Sequence, residues 1–228
     1  MTGLPRPPAT GAKFYADGSP APFAGNTIIC HLDPGSDAFR QMVAIQDAFR
    51  NSAAAAKLAF LPRPSFHMTV FEGVCDTVRG KPGHWPDDME NDASCSQVTR
   101  HFARKLAVLP APSGFRMRPV GLGTVWPVAC GVRLEPVDGT ENRRIRQYRD
   151  ALAETLCLRH ADHDGYPFHC TLFYLIDWLS PAEQADYLAL SGQLDQQLTE
   201  AGVLFDIGPP EFCTFDDLTH FERLSFLG

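Results

Sequence analysis

Phe66-His67-Met68-Thr69-Val70-Phe71 is the stretch that decides the reading, because the chain repeats it with little change as Phe168-His169-Cys170-Thr171-Leu172-Phe173. Strand alternation puts His67 and Thr69 on one face, with Met68 and Val70 on the other, and it sorts the second copy the same way. Each copy therefore offers an imidazole and a hydroxyl together. The opposite face, Phe66, Met68 and Val70 or Phe168, Cys170 and Leu172, is apolar, as expected for a strand with helices behind it and a cleft in front. A His and a Thr in a single β-run are ordinary. β-propensity favours Phe, Thr and Val, but it gives no reason for His to recur at the same place.

The paired His-x-Thr-hydrophobic pattern, His67-Met68-Thr69-Val70 and His169-Cys170-Thr171-Leu172, resembles the 2H phosphoesterase superfamily. The stretches from Lys13 to Pro34 and from Pro64 to Val74 resemble a little-characterised bacterial subgroup of it, and the likeness extends over residues 13–228. The resemblance implies two pseudo-equivalent lobes around a groove and hydrolysis of a 2',3'-cyclic or 2'-5' phosphodiester of a nucleotide or RNA end. It carries over to His67 and His169 as general acid and base, and to Thr69 and Thr171 as holders of the phosphate. No cofactor and no metal is implied.

The residue types suit that chemistry on their own terms. In-line displacement at phosphorus needs a base on the attacking oxygen, an acid on the leaving oxygen, and donors for the non-bridging oxygens. An imidazole pKa near 6.5 lets one histidine be neutral and the other protonated near neutral pH. Near-identical motifs do not say which is which. A non-catalytic protein that binds a nucleotide or RNA end in the same groove is the alternative. A metallohydrolase built on His160, Asp162, His163 and Asp164 is a weaker one, since these residues follow a helix end and read as a solvated polar turn.

Further candidates for substrate contact are Phe71 and Phe173, which strand alternation places on the His/Thr face, together with Tyr166, Trp126 and Arg63. For Tyr166 and Trp126 core packing is the stronger expectation. Arg63, Arg116 and Arg118 read mainly as surface ion pairs, and Arg143, Arg144, Arg146 and Arg149 as the solvated face of a helix. Gly121-Leu122-Gly123 is too short for a nucleotide loop, and no Walker A, Gly-x-Ser-x-Gly or His-Glu-x-x-His motif occurs.

With 228 residues the chain is long enough to bury roughly 70% of its unfolded surface without staples. Its seven scattered cysteines are an odd number without Cys-x-x-Cys spacing, which argues against a disulfide framework or zinc clasp. A net charge of −7 argues against an extended nucleic-acid surface and leaves a small phosphorylated substrate as the expected partner. No apolar run is long enough to span a membrane and the start lacks signal-peptide character, which points to the cytoplasm.

The periodicities predict an α+β fold of two antiparallel sheets backed by helices, with the motif strands lining a central groove. Residues 1–24, rich in Pro and Gly, read as an extended N-terminal arm ahead of a single bilobal domain at 25–228. Ser36, Asp138 and Ser180 read as helix caps, residues 72–92 as a long loop, and residues 115–134 as a hairpin turning near Trp126-Pro127.

Overall fold

The computed structural model describes residues 6–125 and 129–227, so the Trp126-Pro127 turn lies outside the described residues. The elements are β1 (Gly25–His31), α1 (Asp37–Arg50), β2 (Leu58–Phe60), β3 (His67–Cys75), α2 (Cys95–Leu106), β4 (Phe115–Val125), β5 (Ala129–Pro136), α3 (Gly139–Leu156), β6 (His169–Leu175), α4 (Pro181–Ala201), β7 (Phe205–Ile207), β8 (Glu211–Phe215) and β9 (Glu222–Phe226). They form two antiparallel sheets, ordered β3-β1-β8-β9 and β2-β6-β5-β4-β7. The α+β, two-lobed reading holds.

Local chemistry explains the helix limits. The Ser36 hydroxyl accepts from Phe39 N at 3.1 Å to open α1, and Ser180 with Glu183 forms a capping box on α4, with Pro181 in its first turn. Asp138 accepts from the backbone N–H of Thr140 and Glu141, both at 2.8 Å, to start α3. Glu141 is then free to accept from Arg116 N at 2.8 Å, so the expected reciprocal box is replaced by a tie between α3 and β4.

The helices cross between the sheets. The helix after β1 does not cover the sheet of β1; α1 packs with α4 behind β6 and β7 in the five-stranded sheet. α3, which lies between two strands of the five-stranded sheet, packs with α2 and bridges the sheets, against β4 and β5 in its own and β3 in the four-stranded one. Both helices thus reach into the half they do not belong to. β3 and β6 come together where the two sheets meet, and their apolar residues Met68, Val70, Cys170 and Leu172 are fully buried in one continuous core.

The N-terminal arm is not extended. From residue 6 it folds into turns held by bridges of Phe14 to Thr10 and Pro20, buries Ala9 and Phe14 against Tyr174, and ties Thr10 Oγ1 to Ile176 O at 2.8 Å. Burying two apolar side chains offsets the conformational entropy that its Pro and Gly content suggested it would retain. The fold also brings Lys13 to the groove.

Candidate active site

His67 and His169 stand at the first position of their strands and are held in the same way. Nδ1 of His67 lies 2.7 Å from Ser65 O, and Nδ1 of His169 lies 2.8 Å from Pro167 O. A carbonyl can only accept, so in each ring Nδ1 carries the proton and Nε2 is left for a ligand. Ser65 ends the short 3-10 turn Arg63–Ser65, and the chain passes through extended Phe66 into β3. Both histidines and both threonines, Thr69 and Thr171, are half-buried and line one cavity of about 300 Å³.

Phe71 and Phe173 do not share this face, which corrects the expectation from alternation. Ile29 pairs with Thr69 but Ile28 with Phe71, and Gly131 pairs with Thr171 but Cys130 with Phe173. A β-bulge therefore inserts Val70 in one motif strand and Leu172 in the other. Alternation slips by one residue, and Phe71 and Phe173 turn into the core, 0% and 2% exposed. Phe173 packs against Phe49 and Phe60. Glu72 and Tyr174 take the groove positions instead.

The carbonyls of the two bulge residues are met by buried side chains from the crossed helices. Gln46 on α1 donates from Nε2 to Leu172 O at 3.2 Å and to Leu61 O at 2.8 Å. Arg149 on α3 donates to Val70 O, and to His163 O at 3.1 Å. Leu61 and His163 each stand six residues before their motif histidine, so the two arrangements are counterparts. Arg149, expected on a solvated face, is 1% exposed; its Nη1 and Nη2 meet the bulge and loop carbonyls, while Nε is buried with no hydrogen-bond partner among the described residues. Burial pushes its pKa down to about 10, leaving it charged at neutral pH.

Tyr166 lies over this guanidinium, 4.3 Å from its ring centroid. Its hydroxyl interacts with Thr69, and burial above all raises its pKa, so it stays protonated. With its ring 6.4 Å from that of His169, Tyr166 connects the two motifs. Arg63 does not reach the groove: it pairs with Asp47 on α1 at 2.5 Å and lines neither of the two cavities at the motif histidines. Arg116 and Arg118 are likewise committed, to Asp206 at 2.9 Å and Glu135 at 2.5 Å.

The electrostatics separate the histidines' surroundings. Burial pushes His67 down to about 4, with the nearby His31 and His169 acting in the same direction and the Ser65 carbonyl and Glu211 against it. His67 is consequently neutral at pH 7. Its ring packs edge-on to Phe221 at 4.4 Å. His31 pairs with it across the strands and is bound through Nδ1 to Glu211 at 3.0 Å, a carboxylate that also accepts from Arg223 at 3.1 Å.

His160 and His163 are buried rather than solvated, 7% and 3% exposed, because both rings pack against Phe71. They do not converge on one point: Nε2 of His160 lies 2.8 Å from Glu72 O, and Nε2 of His163 lies 3.0 Å from Asp150. Among the described residues, two clusters have ligand-type atoms close enough for a metal, His31 with Glu211 and Cys213, and His163 with Asp150 and Asp164. Each already contains a guanidinium, Arg223 on Glu211 in the first and Arg159 on both aspartates in the second. That positive charge neutralises the carboxylates a cation would need.

Sequence reasoning missed Lys13, Glu72, Arg133 and Tyr174 at the groove and Gln46 and Arg149 beneath it. The one available signal was spacing: His31 to His67 and Arg133 to His169 are both 36 residues, and the pairs face each other across β1-β3 and β5-β6.

Comparison with known proteins agrees with this architecture. The model of a family described as 2H-phosphodiest, domain of unknown function (DUF1868), matches residues 13–125, which include the first motif. The crystal structure of ATU0111, a conserved protein of unknown function from Agrobacterium tumefaciens str. C58, is 33% identical with a TM-score of 0.89, over 99% of this chain and 95% of that one. No curated protein matches. Among the described residues no helix is long and apolar enough to cross a membrane. The family description points to an enzyme of phosphodiesterase type. This chain belongs to the 2H-phosphodiesterase-like family.

Proposed function

We propose that the protein hydrolyses a cyclic 2',3'-type or 2'-5' phosphodiester of a nucleotide or RNA end, with His67 as general base and His169 as general acid. The observation that carries this is the pair of imidazoles on one cavity, each with Nδ1 bound to the carbonyl two residues back and Nε2 free. Neutral His67 takes a proton from water as the water oxygen attacks phosphorus. The bond from phosphorus to the leaving oxygen breaks on the opposite side, and His169 gives that oxygen its Nε2 proton. Products are a phosphomonoester and a free hydroxyl. His67 ends protonated and His169 neutral, and exchange with solvent restores both.

Thr69 and Thr171, beside the two rings, donate to the non-bridging oxygens, where charge develops. Tyr166 fixes the Thr69 hydroxyl, and the Arg149 charge below it favours an anion in the cavity. No step uses a metal. Product analysis by phosphorus NMR, with chelator present, on 2',3'-cyclic nucleotides and 2'-5' dinucleotides tests the proposal. Turnover on one of these classes supports it; restoration of activity only by an added divalent ion contradicts it.

A further inference from the structure

Beside the first cavity lies a second of about 1090 Å³, and the two share Lys13, Tyr166, His169, Thr171 and Tyr174 as a common wall. Its lining carries four cationic side chains, Lys13, Arg118, Arg133 and Arg146, against two carboxylates, Glu135 and Asp138, in a chain whose net charge is −7. Both carboxylates are in use. Glu135 pairs with Arg118, and Asp138 caps α3 through two backbone N–H groups. Arg146 donates from Nη2 to Tyr166 O at 3.0 Å and lies on the face of Phe168, with its Nη1 buried and without a hydrogen-bond partner among the described residues.

Arg133 and Lys13, like Arg146, form no ion pair among the described residues, but where Arg146 is half-buried Arg133 is exposed and donates from Nη2 to Val120 O at 3.4 Å. Lys13 Nζ sits 4.8 Å over the ring of Tyr174 at the junction of the cavities. Arg133 is the cross-strand neighbour of His169, on the same face and within side-chain reach of it. Its stem lies flat across Gly123, where a Cβ would come within 2.4 Å of its Cγ, and a Cβ at Gly121 would lie 3.3 Å from its Nη2 and 2.4 Å from Oδ1 of Asp195, a carboxylate that accepts from Leu122 N at 2.5 Å. The Gly121-Leu122-Gly123 stretch is thus a bed for this side chain, which limits where the guanidinium can go. A positioned, exposed guanidinium whose neighbouring carboxylate, Asp195, is bound to a backbone N–H instead of paired with it is a ready bidentate partner for phosphate.

We infer that the second cavity is an anion subsite for the leaving group, so that the substrate class is a phosphodiester whose nucleoside carries a further phosphate, bound by Arg133 with Lys13. This rests on the proposed reaction, in which His169 protonates the leaving ribose oxygen and places that ribose on the Arg133 side.

The test compares a 2',3'-cyclic nucleotide with a 5'-phosphate against the same compound with a 5'-hydroxyl. Wild type is expected to favour the phosphorylated form by at least about tenfold in kcat/KM, the value of a charge-assisted hydrogen bond. Arg133→Ala is expected to bring the ratio near one, mainly through KM, and Arg133→Lys to restore part of it. No preference in wild type, or equal losses on both substrates in Arg133→Ala, overturns the inference while the reaction stands. Calorimetry with a nucleoside 2',5'-bisphosphate and a 2'-monophosphate separates the two ideas. Preference for the bisphosphate that is lost in Arg133→Ala, without turnover of either cyclic compound, supports the subsite and sinks the reaction; no preference sinks the subsite.

Discussion

The half built from β1, α1 and β3 and the half built from β5, α3 and β6 are the same device made with different surroundings. Each has a motif histidine tied to a carbonyl two residues back, a bulge after the threonine, and a buried donor from a crossed helix on the bulge carbonyl. They differ in what stands beside the histidine. His67 has His31, locked to Glu211 and Arg223, and an edge-on Phe221; His169 has the unpaired Arg133. Symmetry of backbone therefore supplies two equivalent imidazoles. Asymmetry of the neighbours buries His67 and keeps it neutral, and leaves His169 on the wall shared by the two cavities.

The most severe way to break the pair is to remove either imidazole. His67→Ala and His169→Ala should each lower turnover by roughly 10³-fold or more, with the folded circular-dichroism signature retained since both side chains border the cavity. Near-wild-type rate in either variant rules out the two-histidine mechanism. Thr69→Val and Thr171→Val should each cost about 10- to 100-fold in kcat/KM, the loss of one hydrogen bond to a charged phosphate. Steady-state kinetics showing a larger effect at Thr69, whose hydroxyl Tyr166 positions, would sharpen the asymmetry; no effect at either would remove threonine from the scheme.

Beneath the groove the comparison is one of stability. Arg149→Leu leaves the Val70 and His163 carbonyls buried without this donor and should destabilise by roughly 2–4 kcal/mol, while Gln46→Leu should cost roughly 1–3 kcal/mol. Leu172 O keeps a second donor, Leu61 N at 3.0 Å, which is why the second value is smaller. Urea denaturation of the two variants measures the difference, and a reversed order would mean the bulges are not held as described.

The last expected effect is a pH dependence, confined to acid conditions. His67 has a folded pKa pushed down to about 4 from an unfolded value near 6.5, so between those values the unfolded chain binds more protons. Its contribution, at most about 3 kcal/mol, is complete above pH 6.5 and is lost as pH falls through 4. In the free enzyme the acid limb of kcat/KM should likewise lie near pH 4. Replacing His67 with Gln should flatten the stability curve in that window, as followed by denaturation at several pH values, and an unchanged curve would show that His67 is not the titrating group.

The sequence by itself determined the two motif strands, their apolar backs, the helix caps at Ser36 and Ser180, and the strand order along the chain, because each is written in local periodicity and in residue types with short-range consequences. It did not determine where alternation fails. The bulges at Val70 and Leu172 are stabilised by Arg149 and Gln46 from helices distant in sequence, so Phe71 and Phe173 looked like groove residues until tertiary structure showed the slip. The same holds for Arg149 itself, for His160 and His163, and for Lys13 on a Pro- and Gly-rich arm. Charge and composition say that such residues prefer water; only the three-dimensional arrangement supplies the carbonyls, ring faces and carboxylates that allow them to be buried or brought to the groove, because those partners come from elements far apart in the chain.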